Sequence, residues 1–140
     1  MYKKLLLVMM LAVSLSACKK NENKSACGTQ TCTAVFAVVN FSFTDAAGKP
    51  TEIKDVTLIN VRTGKAVPAT SYAATVNMVP GAIIVATDET KSAFSNEGDD
   101  IRITATSVAT NKTKQVTIKV SGGCNCHVVK VSGVDTIKFD

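Results

Sequence analysis

Apolar and polar residues alternate along most of this chain with a period of two, the spacing that sends successive side chains to opposite faces of a strand. From Thr33 to Thr44, residues Val35, Ala37, Val39, Phe41 and Phe43 fall on one side, with Asn40, Ser42 and Thr44 on the other. Phe36 and Val38 interrupt the polar side, so the start of this strand is expected to be covered on both faces. Asp45 to Pro50 carries turn chemistry, because glycine tolerates positive φ and proline ends a ladder. A second strand, Val56 to Val61, runs into the turn Arg62-Thr63-Gly64-Lys65, and a weaker one is expected around Tyr72 to Val76. After Pro80-Gly81, the unbroken run Ala82 to Thr87 fits a strand buried on both faces. The polar stretch Asp88 to Asp100 reads as a loop with a brief helical turn near Lys91 to Phe94. Ile101, Ile103 and Ala105, then Val116, Ile118 and Val120, alternate on either side of Thr110-Asn111-Lys112, which predicts a hairpin. Cys124 to Val131 and Thr136 to Phe139 complete the set. About seven short strands with almost no helical period predict an all-β domain, an antiparallel β-sandwich.

The first residues follow a different pattern. Lys3 and Lys4 precede an apolar run from Leu5 to Leu15 broken only by Ser14. As a helix this run is roughly 16 Å long, against about 30 Å of bilayer hydrocarbon, so it reads as a secretory signal and not as a span. It ends in Leu15-Ser16-Ala17-Cys18, which resembles the lipobox of bacterial lipoproteins. That resemblance implies cleavage before Cys18, lipid on its thiol and a further acyl chain on the new amino terminus; two or more chains anchor durably where one does not. Residues 1–17 are then the signal peptide, 18–26 the lipidated cysteine with a polar tether too poor in apolar residues to order itself, and 27–140 the β-sandwich domain. Lys19 stands where some inner-membrane lipoproteins carry aspartate, so the expected address is the outer membrane of the cell envelope, with its face left open.

Two further resemblances bear on the domain. Thr44-Asp45-Ala46-Ala47-Gly48-Lys49-Pro50, an apolar strand and then Thr63-Gly64-Lys65 resemble the opening hairpins of carboxypeptidase-regulatory-like and transthyretin-like domains, which implies an immunoglobulin-like or transthyretin-like sandwich. The chain as a whole is similar to small lipoproteins with a paired-cysteine beginning and a Cys-x-Cys-His ending, a likeness that implies no particular activity.

Charge adds little to this picture. The formal net charge of +5 falls largely on Lys3 and Lys4 of the leader and on Lys19, Lys20 and Lys24 of the tether, which leaves the domain close to neutral. With no tryptophan and no basic face interleaved with aromatics, nucleic acid is not an expected partner. The expected partners are the membrane, through the lipid on Cys18, and an envelope protein or glycan.

Cys27 and Cys32 precede the first strand, and Cys124 and Cys126 the last ones. Four cysteines in an exported domain point to two disulfides. Each early cysteine is expected to bond a late one, because a Cys124 to Cys126 bridge would close a strained ring; which of the two long-range pairings forms stays open. The alternative is a metal site, with Cys27, Cys32, Cys124 and Cys126 as thiolate ligands of zinc or monovalent copper and His127 able to replace one. The preferred reading needs no cofactor.

His127 is the single histidine, and the bland expectation places it on a surface strand beside a disulfide. Asp88, Glu89, Glu97, Asp99 and Asp100 gather carboxylates that suit calcium in type but not in spacing, and a solvated loop is the simpler expectation. Asn111-Lys112-Thr113 and Asp135-Thr136-Ile137 fit glycosylation patterns, although the first sits where a turn is needed. There is no phosphate-cradling glycine loop and no nucleophile elbow, so no catalytic residue is assigned. A small envelope hydrolase is kept as a second alternative; it requires a concave pocket with converging carboxylates and a histidine, which can only be His127.

Overall fold

The computed structural model describes residues 27–67 and 79–140. The leader, Cys18, the tether and the weak strand expected at Tyr72 to Val76 lie outside the described residues. Among the described residues eight strands form in chain order: β1 Val38–Thr44, β2 Ile53–Asn60, β3 Lys65–Ala66, β4 Ala82–Thr87, β5 Asp99–Ser107, β6 Thr113–Ser121, β7 Val129–Ser132 and β8 Thr136–Lys138. A short 3-10 helix, Asp88–Ala93, joins β4 toward β5. The strands build a three-stranded sheet of order β4-β1-β8 and a five-stranded sheet of order β3-β2-β5-β6-β7, a β-sandwich.

The period of two decides what enters the space between the sheets. β1 sends Val39, Phe41 and Phe43 inward, β4 adds Val85 and Ala86, and β5 and β6 add Ile101, Ile103, Ala105, Ile118 and Val120. Phe94, Val128 and Phe139 close the ends of this core. Phe43 packs edge-on to Phe41 and stacks on Phe139, with ring centroids 5.2 and 5.5 Å away. Burying an aromatic side chain of this size is worth about 3 kcal/mol, so this trio is a large share of the core. The β5–β6 hairpin forms in the expected register, from Asp99 opposite Val120 to Thr106 opposite Thr113. Asn111 takes φ 54° at its turn, a conformation asparagine tolerates better than most residues.

Several expectations are corrected. The first strand begins at Val38 and not at Thr33; Val35 is 67% exposed, because residues before Ala37 are held by side chains and disulfides instead of a ladder. Residues 124–128 are turn and loop, and β7 starts only at Val129. β4 is an edge strand, so only Val85, Ala86 and Thr87 are buried while Ala82 to Ile84 are half-buried. β2 starts at Ile53, three residues earlier than expected, with Asp55 at φ 53° where the ladder to β5 shifts register. The sandwich is not wholly antiparallel, since β8 runs parallel to β1 from Ser42 opposite Thr136 to Thr44 opposite Lys138. Finally, β1 and β2 lie in different sheets, so Asp45 to Pro50 crosses between layers; the true hairpin in that region is β2–β3 around Gly64.

Candidate functional site

The chemistry-bearing residues converge where the arm before β1, the helix after β4 and the loop before β7 meet. Cys27 is bonded to Cys124 and Cys32 to Cys126, with Cα separations of 5.0 and 5.3 Å. Both bridges are long-range as expected, and the structure selects one of the two pairings left open. On the entropic model, closing a loop of about 100 residues restricts the unfolded chain by about 4.7 kcal/mol. Once one bridge exists, the second closes only a short ring and adds roughly 2.5 kcal/mol, so its larger effect is geometric. With all four sulfurs in disulfides, no thiolate is left for zinc or copper in this state, and among the described residues no group of three or more His, Cys, Asp or Glu is placed to hold a metal.

The loop that carries Cys124 and Cys126 is clamped on the helix. Gly122 N–H donates to Ser95 O at 3.0 Å and Gly123 N–H to Lys91 O; Cys124 N–H donates to Asn96 Oδ1 at 2.7 Å. A Cβ on Gly122 would fall 2.4 Å from the Lys91 carbonyl oxygen, so only glycine allows this approach. Lys91 Nζ reaches back to donate to Asn125 O at 3.2 Å. The loop is thereby tied to the helix by hydrogen bonds from both sides without being a strand.

His127 is therefore not on a surface strand, nor is it isolated. Its Nδ1 lies 2.7 Å from Asp88 Oδ2, and its Nε2 lies 2.8 Å from the Thr33 hydroxyl. Asp88 Oδ2 also accepts from Ala37 N–H at 2.9 Å, and Oδ1 accepts from Val128 N–H at 2.8 Å. Burial alone would raise the Asp88 pKa; the N–H of Ala37, His127 and the N–H of Val128 outweigh it and hold the carboxyl below its ordinary value. An ionised carboxylate can only accept, so Nδ1 carries a proton, and in the neutral form of the ring Nε2 is the nitrogen that can accept from the Thr33 O–H. Disulfide-bonded Cys32 and Cys126 immediately precede Thr33 and His127, so one covalent bond sets both side chains in place.

Asp99, fully buried where Asp88 is half-buried, is the second carboxylate that the sequence placed in a solvated loop. Its Oδ1 accepts from Arg62 Nε at 2.6 Å and from the Ser95 hydroxyl at 2.8 Å; its Oδ2 accepts from Arg62 Nη2, Asn60 Nδ2 and Ser95 N–H. Arg62 first, and the Asn60 and Ser95 donors after it, hold this carboxyl far below the usual carboxylate range despite burial. The acidic stretch thus splits: Asp88 and Asp99 are internal anchors, whereas Glu89, Glu97 and Asp100 are exposed.

Thr33 carries no signal in the sequence, where it is one threonine among many. The available clue was positional, since both Cys32-Thr33 and Cys126-His127 place a polar side chain directly after a cysteine. A groove of about 380 Å³ is lined by Val38, Val39, Val128, Val129, Lys130 and Asp135 among others, and Val128, whose N–H donates to Asp88, joins it to this cluster. Comparison of the chain with protein-family models, with curated proteins and with solved structures gives no match.

Proposed function

We propose that this protein is a lipid-anchored β-sandwich of the cell envelope, cleaved after Ala17, carried at the outer membrane on the thiol of Cys18, and acting there by binding or by structural support. Its expected partners are the membrane and an envelope protein or glycan. The observation that supports the reading best is where the disulfides sit. Cys27 is the first residue after the tether expected from the sequence, and it is bonded to Cys124 with Cys32–Cys126 beside it. A load arriving from the membrane would therefore enter the folded body through covalent bonds and not by peeling β1 from its sheet. Disulfides of this kind also fit an oxidising compartment outside the cytosol. The immunoglobulin-like or transthyretin-like kinship belongs to the same proposal and is supported by the β2–β3 hairpin at Thr63-Gly64-Lys65.

The test is the intact mass and partitioning of the chain expressed with its native leader. The expected product lacks residues 1–17, carries diacylglyceryl and acyl mass on Cys18, and enters the detergent phase, while Cys18→Ser stays aqueous. A wild-type chain that is unacylated and partitions like Cys18→Ser would overturn the proposal.

A further inference from the structure

We propose that Thr33, His127 and Asp88 act as nucleophile, general base and positioning carboxylate in acyl transfer from a carboxylic ester to the Thr33 hydroxyl and on to water. This goes beyond an anchoring role, and it rests on geometry that anchoring does not require. A hydroxyl becomes a useful nucleophile when a neutral imidazole stands within hydrogen-bond reach and a third group fixes that imidazole. Both distances are met, at 2.8 Å for Thr33 Oγ1 to His127 Nε2 and 2.7 Å for His127 Nδ1 to Asp88 Oδ2. Asp88 is itself immobilised by the N–H groups of Ala37 and Val128, so the array is held from its rear. The Cys32–Cys126 bond, one residue upstream of each reacting side chain, fixes their separation before any substrate arrives.

Access and accommodation point the same way. Thr33 is exposed and lies outside every strand ladder, so a substrate can reach its hydroxyl from solvent. Beside the cluster, an open groove has Val38 and Val129 as its apolar side and Asn40, Lys130 and Asp135 as its polar side, room for a short acyl group with a polar end. In the first step, Thr33 Oγ1 attacks the ester carbonyl carbon as its proton passes to His127 Nε2. The tetrahedral adduct then expels the alkoxide, which takes that proton and leaves as the alcohol. In the second step, water attacks the acyl-threonine, gives a proton to Nε2 and releases the carboxylic acid, and the proton returns to Thr33.

The experiment uses the full chain in detergent with its disulfides intact, treated with para-nitrophenyl butyrate and, separately, with a fluorophosphonate, in which loss of fluoride leaves a stable adduct. The expected result is one adduct on the Thr33 peptide, formed at a rate that rises with pH along a single ionisation. His127→Gln slows it about 100-fold or more and removes that pH dependence. Thr33→Val abolishes it, Thr33→Ser restores an adduct at the same position, and Asp88→Asn lowers the maximal rate without changing the probe concentration that gives half of it. No adduct on the wild-type chain, an adduct elsewhere, or labelling indifferent to His127→Gln in a protein that keeps both disulfides would overturn the proposal.

Discussion

The Thr33 hydroxyl and His127 Nε2 are 2.8 Å apart although 94 residues separate them in the chain. No strand pairs these two segments; what brings them together is the Cys32–Cys126 bond immediately upstream of both, with Asp88 gripping the imidazole and the backbone on either side. The cluster is thus a joint as well as a polar site, and its parts can be tested separately.

Removing Cys27–Cys124 alone or Cys32–Cys126 alone leaves one long-range bridge in place, so each double serine variant is expected to lose only roughly 2.5 kcal/mol on the entropic model. Removing both is expected to cost about 7 kcal/mol, well above twice the single cost. Denaturant midpoints of the three variants under identical oxidising conditions check this; equal increments would show that the bridges act independently.

Asp99 has a folded pKa held below its unfolded value of roughly 3.9, with Arg62 the main cause. Its contribution is therefore fully present above that unfolded value and drains away as pH falls toward the folded one. Asp99→Asn is expected to cost about 2 kcal/mol at neutral pH, since it breaks charged hydrogen bonds at a buried position. It should also flatten the acid limb of a stability curve measured from pH 6 down to pH 2.

Asp88 follows the same sign through a different set of donors, the N–H of Ala37, His127 and the N–H of Val128. Asp88→Ala is expected to release the arm before β1, losing about 2 kcal/mol. Amide exchange should speed up at Ala37 and Val128 while the β5–β6 hairpin keeps its protection, a pattern that hydrogen-exchange mass spectrometry can read.

Gly81 sits at φ 75°, and a Cβ there would fall 2.3 Å from the Phe43 carbonyl oxygen, which accepts no displacement without moving β1. Gly81→Ala is expected to lower the thermal midpoint by at least about 8 °C, combining left-handed backbone strain with a clash against a buried strand. Gly64→Ala, which has positive φ but open space around it, isolates the strain and should cost less than half as much.

Much of the architecture was legible in the order of residues. Ile101 to Val120 declares its hairpin because alternation persists on both sides of an asparagine turn, and Val39, Phe41 and Phe43 announce the inward face of β1 for the same reason. Val35 continues that alternation yet lies outside the strand, because periodicity reports only what a strand could do and not where the ladder stops. The parallel docking of β8 on β1 is a long-range choice with no local signature. The site was harder still: Thr33, Asp88 and His127 come from three segments, and isolated polar residues have no period to betray them. Long-range bonding of the cysteines followed from ring strain, whereas the choice of partner needed the folded loop.

Two covalent joins set side by side differ in kind from one. A single bond is a swivel, about which an arm can spin without disturbing what it is fastened to. Cys27–Cys124 and Cys32–Cys126 together make a rigid bracket, so torque delivered at residue 27 rotates the entire sandwich and the orientation of its faces is dictated from that corner.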